Sequence, residues 1–561
     1  MRNAAHVIID TLEVNGVDRV FCVPGESYLP VLDALFSRKS IDVVTCRHEG
    51  NAGYMALTDA RLTGRPGVCL VSRGPGAMNA TIAIHTAEQD CLPLLLLVGQ
   101  VPRKNLRRNS FQEIDYGKMF VETAKWTVEI TDPKRVPEIL ARGFQAAMSG
   151  TPGPVVISLP EDILEEAVVA ELPPSYRPPL MSPGRDAVEA LDSMLRASRK
   201  PLMIAGGRLA CDEGRHALLA AAEKYRIPTV VSFRRHDLFP NAHDLYMGDL
   251  GHSVTQTQMA AFQDSDLLVA VGLRLDDLTT QGYTFPEMPK ARQLFVHVHD
   301  DPKFVGTHCY PDLAIICNPI SLLANLTEIA SGESIVDPAW IARLRQNQVA
   351  RSTWQVATAS DGVVFGNVVS RLNRYLADDA IVVADAGMSA GLLYQYFNCR
   401  PPQMLLATFA GAMGCGVANA VAASLRYPHR QVVCVAGDGG FVMSAIELGL
   451  AVERRLPVRF IMSNNGSYGS IRRDQETAFP NRVIGTGLSN PNFAPFVESF
   501  GCKAFVIDRE DRIDHVIREA FDEKGPSFIE VKSSLLAALS TTGVSARGDA
   551  VNARHCLPRS S

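Results

Sequence analysis

Two glycine-rich turns carry the strongest chemical pattern in the 561 residues. The largely apolar run Gln431–Val435 reads as a buried strand. It ends in Ala436-Gly437-Asp438-Gly439-Gly440, and a helical pattern follows. Glycines at a strand-to-helix turn let backbone N–H groups approach a phosphate at the helix start. Asp438 in that turn can offer a carboxylate oxygen to a divalent cation. A second run, Arg459–Ser463, ends in Asn464-Asn465-Gly466-Ser467-Tyr468-Gly469. Asparagine supplies a neutral carbonyl ligand, and the glycines allow a backbone carbonyl to face inward. Asp438 and Asn465 lie 27 residues apart, each at a strand end. Adjacent parallel strands would bring them to one carboxyl edge, where open α/β sheets bind ligands. Together they read as a magnesium–diphosphate cradle.

Such a cradle needs a parallel sheet beneath it. Three blocks alternate strand-like and helical patterns in the way that builds one. The first block has apolar runs at Val20–Val23, Val43–Thr45, Val68–Val71, Leu94–Val98 and Val155–Leu159. Helical patterns between them include Ala4–Asn15, Tyr28–Phe36, Gly50–Thr63 and Met78–Asp90. Leu172–Gly184 holds five prolines and reads as a linker. The second block has strands at Pro201–Ala205, Thr229–Val231, Leu267–Val271 and Leu294–Val298. The third has Ile381–Ala384, Gln431–Val435, Val458–Ser463 and Ser527–Val531. The domain boundaries expected are 1–170, 187–330 and 360–540. The fold class expected is α/β, three consecutive doubly wound domains with mostly parallel sheets. No sequence repeat is detectable among them. The tail Ser540–Ser561 has no periodicity and is expected to pack loosely.

Composition narrows the function classes. The chain is 47% hydrophobic, which is ample for several cores, and 20% charged. Its net charge of −5 and the lack of basic clusters interleaved with aromatics speak against a nucleic-acid binder. The longest apolar runs, such as Leu92–Val98, are far short of a membrane span. Met1–Asp10 has no signal-peptide pattern. Twelve cysteines, with no C-x-x-C, suit a reducing compartment. The expectation is a cytoplasmic protein that binds neither nucleic acid nor membrane.

The Gly-Asp-Gly turn followed by a double asparagine resembles the signature of thiamine-diphosphate-dependent enzymes, and most closely the acetolactate synthase-like group. The resemblance extends over nearly the whole chain, to about residue 535. It implies a pyrimidine-binding first domain, a middle Rossmann-like domain and a diphosphate-binding third domain. It implies thiamine diphosphate and Mg²⁺ as cofactors. Asp438, Asn465 and the Ser467 carbonyl match the metal ligands. Gly437, Gly439 and Gly440 match the diphosphate turn, with Tyr468 and Gly469 continuing the second loop. Gly387, Met388 and Ser389 occupy the matching turn on the next strand. Met413, 25 residues before Asp438, matches the bulky residue that props the cofactor into its bent shape. Ile471 matches the apolar side chain above the thiazolium, and Pro24-Gly25 the first loop beside it. Glu49 matches the glutamate that hydrogen-bonds the aminopyrimidine and promotes C2 deprotonation. Phe111 and Gln112 match residues that face the reacting carbons, where Gln112 can hydrogen-bond a developing alkoxide.

By resemblance, the reaction forms a carbanion–enamine from a 2-oxo acid of the pyruvate type and ligates it to a second carbonyl. Two departures bear on the acceptor. The arginine that meets an acceptor carboxylate in acetolactate synthases is Leu278 here. Leucine cannot bind a carboxylate. The substrate-selecting tryptophan is Asp474. Both suit an aldehyde carboligase or 2-hydroxyketone lyase, similar to benzaldehyde lyase. Arg73, Arg472 and Arg473 are alternative sources of positive charge. A catalytically silent cofactor-binding homologue is a third reading, opposed by the retention of Glu49, Asp438 and Asn465. Gly206-Gly207-Arg208 and Gly272–Arg274 keep part of a flavin-binding pattern also found in relatives without flavin, so FAD stays open. Partners implied are small 2-oxo acids or aldehydes and further copies of the chain. The assembly implied is a homodimer or homotetramer with active sites at the chain interface.

Overall fold

The computed structural model describes residues 2–330 and 334–540, so the expectation for the tail lies almost wholly outside the described residues. Three six-stranded sheets order the chain. The first contains β1 (Arg19–Cys22), β2 (Asp42–Thr45), β3 (Gly67–Val71), β4 (Leu94–Gln100), β5 (Trp126–Glu129) and β6 (Pro154–Pro160), in the order β2-β1-β3-β4-β6-β5. The second contains β7 (Pro201–Ala205), β8 (Thr229–Ser232), β9 (Tyr246–Leu250), β10 (Leu267–Val271), β11 (Leu294–His299) and β12 (Leu313–Ile316). Its order is β12-β11-β10-β7-β8-β9. The third contains β13 (Ile381–Ala384), β14 (Met404–Leu406), β15 (Val432–Gly437), β16 (Val458–Asn464), β17 (Lys503–Ile507) and β18 (Ser527–Lys532), in the order β14-β13-β15-β16-β18-β17.

The sheets are parallel throughout, a firmer result than the mostly parallel expectation. Central strands such as β3, β4, β6 and β10 are buried at every position. That follows from helices covering both faces, and it is why these strands read as unbroken apolar runs. The first and third sheets have the same internal order, shifted by twelve strands. The second has the order of a dinucleotide fold, reversing direction between β7 and β10.

Contacts divide the chain into two compact units. One comprises Met1–Pro179, Thr408–Val432 and Val442–Val458. The other comprises Leu180–Ala407, Val433–Phe441 and the described residues from Arg459 onward. In the first unit the helix Glu49–Thr63 is almost wholly buried from Gly50 to Ala60, because it packs against the helices Arg73–Asp90 and Cys415–Arg426. His48 caps its start by accepting the Gly50 N–H at 3.0 Å, and Gly64 ends it at φ 68°. The Leu172–Gly184 segment contains no helix or strand, as its prolines require.

Candidate active site

In the second unit, β15 ends at Gly437 and the helix Asp438–Ser444 begins at once. Asp438 is 2% exposed. Its Oδ1 accepts the Gly439 N–H at 3.0 Å, and its Oδ2 accepts the Gly466 N–H at 2.9 Å and Asn490 Nδ2 at 2.7 Å. Burial pushes this carboxyl above the usual range, partly offset by those donors. A nearby divalent cation would reverse that balance and favour the carboxylate.

The second turn lies beside the first. Asn465 Oδ1 accepts the Ser467 N–H at 3.1 Å, and the Ser467 carbonyl accepts the Gly469 N–H at 2.8 Å. Each of these oxygens retains a second lone pair for a cation. The Ser467 hydroxyl donates to the Thr486 carbonyl at 2.9 Å, which ties the loop to the following chain. Gly439 has to be glycine: a Cβ there would fall 2.5 Å from the Tyr468 ring. Gly387, at φ 110°, adopts a conformation that side chains resist, and it starts the helix Met388–Tyr396. Ser389 Oγ is buried and has no hydrogen-bond partner, and the backbone at Gly437 faces it. Met388 Sδ lies against Gly469. Asp385, at the end of β13, is 1% exposed and lies against Gly440.

The turns at Gly387–Ser389, Gly437–Gly440 and Asn465–Gly469 are thus gathered at one carboxyl edge. Ile471 stands exposed on the helix Gly469–Ala478. The donor set fits a magnesium–diphosphate group on two observations. One is the buried carboxyl among oxygen acceptors, and the other is the orphaned Ser389 hydroxyl beside a glycine backbone.

The first unit holds a second cluster. Glu49 is the first residue of its helix, and its Oε2 accepts Asn79 Nδ2 at 2.8 Å. The Pro24-Gly25 loop abuts the turn before Asn79, where Ser27 Oγ and Ser72 Oγ are 2.9 Å apart. Gln112 sits at φ 63°, and its carbonyl accepts the Gly74 N–H at 3.1 Å. That backbone conformation is uncommon for a side-chain-bearing residue and is typical of functional loops. Phe111 beside it is 78% exposed. Met413 is half-exposed, just before the helix Cys415–Arg426.

The arginines considered for an acceptor carboxylate are each matched to an acid. Arg73 pairs with Glu161 at 2.7 Å, Arg472 with Glu476 at 3.0 Å and Arg473 with Asp474 at 3.4 Å. In the middle domain, the Arg208 N–H donates to the Gly272 carbonyl at 3.0 Å and Arg208 Nε to Asp300 Oδ2 at 3.0 Å. The first bond draws the turns after β7 and β10 together, and the second ties the β7 turn to the residue after β11.

Three residues escaped the sequence reading. Asn490 joins Asp438 to Asn464 Oδ1, at 3.0 Å from the latter. Its only signal is an Asn-Pro turn. Asp385 could have been found as an acid at a strand end two residues before Gly387. Glu447 carries no local signal, because its partners Arg47 and Asn51 lie in the first domain.

Comparison with known proteins decides the family. The chain matches the thiamine pyrophosphate enzyme N-terminal TPP binding domain at residues 2–119, the central domain at 188–326 and the C-terminal TPP binding domain at 385–531. The chain belongs to the thiamine pyrophosphate enzyme family. Thiamine pyrophosphate and thiamine diphosphate are the same molecule. Among its relatives are acetolactate synthases. It is 31% identical over 550 residues to the acetolactate synthase large subunit of Parasynechococcus marenigrum, covering 94% of this chain and 87% of that protein. It is 30% identical over 533 residues to the acetolactate synthase isozyme 1 large subunit of Escherichia coli, covering 94% and 93%. A probable acetolactate synthase large subunit of Methanocaldococcus jannaschii is 29% identical over 543 residues. Among the described residues, no helix is long and apolar enough to cross a membrane.

Proposed function

We propose that this thiamine pyrophosphate enzyme is an Mg²⁺-dependent carboligase that decarboxylates a 2-oxo acid of the pyruvate type and joins the remainder to a second carbonyl. The observation that carries the cofactor assignment is the buried Asp438 carboxyl, set among glycine backbone and beside the unpartnered Ser389 hydroxyl. Asp438, Asn465 and the Ser467 carbonyl would hold Mg²⁺. Gly437, Gly439, Gly440 and Ser389 would meet the diphosphate. When bound, the cofactor supplies a thiazolium that adds to a carbonyl carbon and takes up the electron pair left when a bond to that carbon breaks. Glu49 handles a proton at the aminopyrimidine, and Asn79 holds its carboxylate through Oε2. Gln112 and Phe111 orient the reacting carbons. The acetolactate synthase relatives support a carboligase. The reading extends to a cytoplasmic enzyme assembled as a homodimer or homotetramer with its active sites at chain interfaces.

A second reading has a specific observation behind it. Leu278 replaces the expected arginine, and Arg73, Arg472 and Arg473 are each matched to an acid. A neutral acceptor aldehyde, or cleavage of a 2-hydroxyketone, needs no carboxylate partner. The test is incubation with thiamine diphosphate, Mg²⁺ and ¹³C-labelled pyruvate, with and without benzaldehyde or formaldehyde, read by NMR. Acetolactate from pyruvate alone supports the first reading. Hydroxyketones formed only with aldehyde move the assignment to the second. Failure of thiamine diphosphate to bind refutes both.

A further inference from the structure

One carboxyl group holds the chain on both sides of Glu49. Glu447 ends the short turn Ala445–Glu447 and is 0% exposed. Its Oε1 accepts the Arg47 backbone N–H at 2.9 Å and Asn51 Nδ2 at 3.1 Å. Arg47 and Asn51 stand two residues before and two after Glu49. The strand-to-helix turn is therefore hung from a single oxygen at two points. Its middle is closed by His48, which caps the helix on itself. Glu447 Oε2 is buried without a hydrogen-bond partner. A residue needed only to fill space there would be apolar, because an unpartnered buried oxygen is unfavourable.

We infer that Glu447 is a positioning residue for Glu49: through the Arg47 N–H and the Asn51 amide it fixes the rotation of the turn that aims the Glu49 carboxylate. The inference rests on the reading of Glu49 as the proton-handling group. Burial pushes the Glu447 carboxyl up, and the Arg47 and His48 backbone N–H groups, the Asn51 amide and the Arg47 charge oppose that shift. The Arg47 side chain turns to solvent, where it pairs with Glu453 at 3.4 Å. The Oε1 oxygen acts as an acceptor of fixed geometry, a role that glutamine can also fill.

The variants are Glu447→Ala, Glu447→Gln, Asn51→Ala and, as control, Glu49→Gln. Three quantities are measured: amide hydrogen exchange across residues 47–51 in the cofactor-free protein, the C2-proton exchange rate of bound thiamine diphosphate, and cofactor affinity. Glu447→Ala should expose the Arg47 amide to exchange and slow C2 exchange by about 10- to 100-fold, with a much smaller change in affinity. Asn51→Ala removes one bond only and should fall between Glu447→Ala and the unmodified enzyme. It carries the test if Glu447→Ala does not fold. Glu447→Gln keeps the acceptor and should restore most of the C2 exchange rate. Unchanged Arg47 protection in Glu447→Ala, or C2 exchange as fast as in the unmodified enzyme, overturns the inference. Equal damage from Glu447→Gln and Glu447→Ala overturns it too. If Glu49→Gln leaves C2 exchange intact, the reading of Glu49 fails first and takes this inference with it.

Discussion

The Asp438 carboxylate accepts three N–H groups, two from glycine backbone and one from Asn490. Asn490 also donates to Asn464, so one amide spans the two glycine-rich turns. Residues that orient metal ligands in this way commonly affect affinity without touching the metal. Asn490→Ala is expected to weaken Mg²⁺-dependent binding of thiamine diphosphate by about 10- to 100-fold. Calorimetric titration of Mg²⁺ at fixed cofactor reads this, and an unchanged affinity would remove Asn490 from the site. Asp438 and Asn465 were legible in the sequence because glycines mark the strand ends that carry them. Asn490 was not, because an asparagine before proline looks the same in any loop. Glu447 is harder still: its partners, Arg47 and Asn51, are about 400 positions away in the chain.

At the scale of elements, the helix Cys415–Arg426 is fastened to the first domain by its last residue. Arg426 reaches Asp59 with Nε at 2.7 Å and Asp18 with Nη1 at 2.9 Å. The hydrogen bond from Arg426 holds the Asp18 carboxyl down at about 2. A carboxyl lowered in the folded state stabilises above its unfolded value and loses that contribution as pH falls toward its folded one. Asp18 therefore stabilises the fold at neutral pH, and the contribution disappears between about pH 4 and 2. Solvent screening of this half-exposed group limits it to about 1 kcal/mol. Thermal melts of Asp18→Asn across that range should converge with those of the unmodified chain at the acid end. Arg351, on the helix Pro338–Ser352, meets Asp249 Oδ1 of the middle domain with Nη2 at 2.6 Å, with both side chains 1% exposed. Burial alone would raise the Asp249 carboxyl, but Arg351 and His236 outweigh it and hold it far down. Arg351→Ala strands a buried charge and should cost about 3–5 kcal/mol in denaturant unfolding. The strands absent from the sequence reading, β5, β9, β12, β14 and β17, all lie at or beside sheet edges. There burial is partial, as in β5 and β17, or the backbone is irregular, as in β9 with Gly248 at φ 91° and a register shift in its pairing. β5 and β9 therefore lack the apolar run that marks a central strand, while β12 and β14 are apolar but only four and three residues long.

For the whole molecule, the proposed assembly gives a direct prediction. Val442, Met443 and Ile446 are exposed on adjoining helical positions, and Met78 and Ile82 are exposed on another helix of the same unit. Apolar side chains left open in this way suit a subunit contact. Met443→Glu is expected to shift sedimentation from dimer toward monomer and to lower activity in proportion. A monomeric unmodified chain would refute the assembly. The sequence by itself determined the α/β class, the central strands, the proline linker and the glycine turns with Asp438 and Asn465. Each of those follows from local backbone freedom or from continuous burial, which residue types report directly. Only the tertiary structure decided the shared strand order of the first and third sheets, the assignment of the helix Cys415–Arg426 to the first unit, and the suspension of the Glu49 turn from Glu447. These depend on pairing between residues hundreds of positions apart, and no local pattern of side chains encodes which distant partner a strand end or a carboxyl will meet.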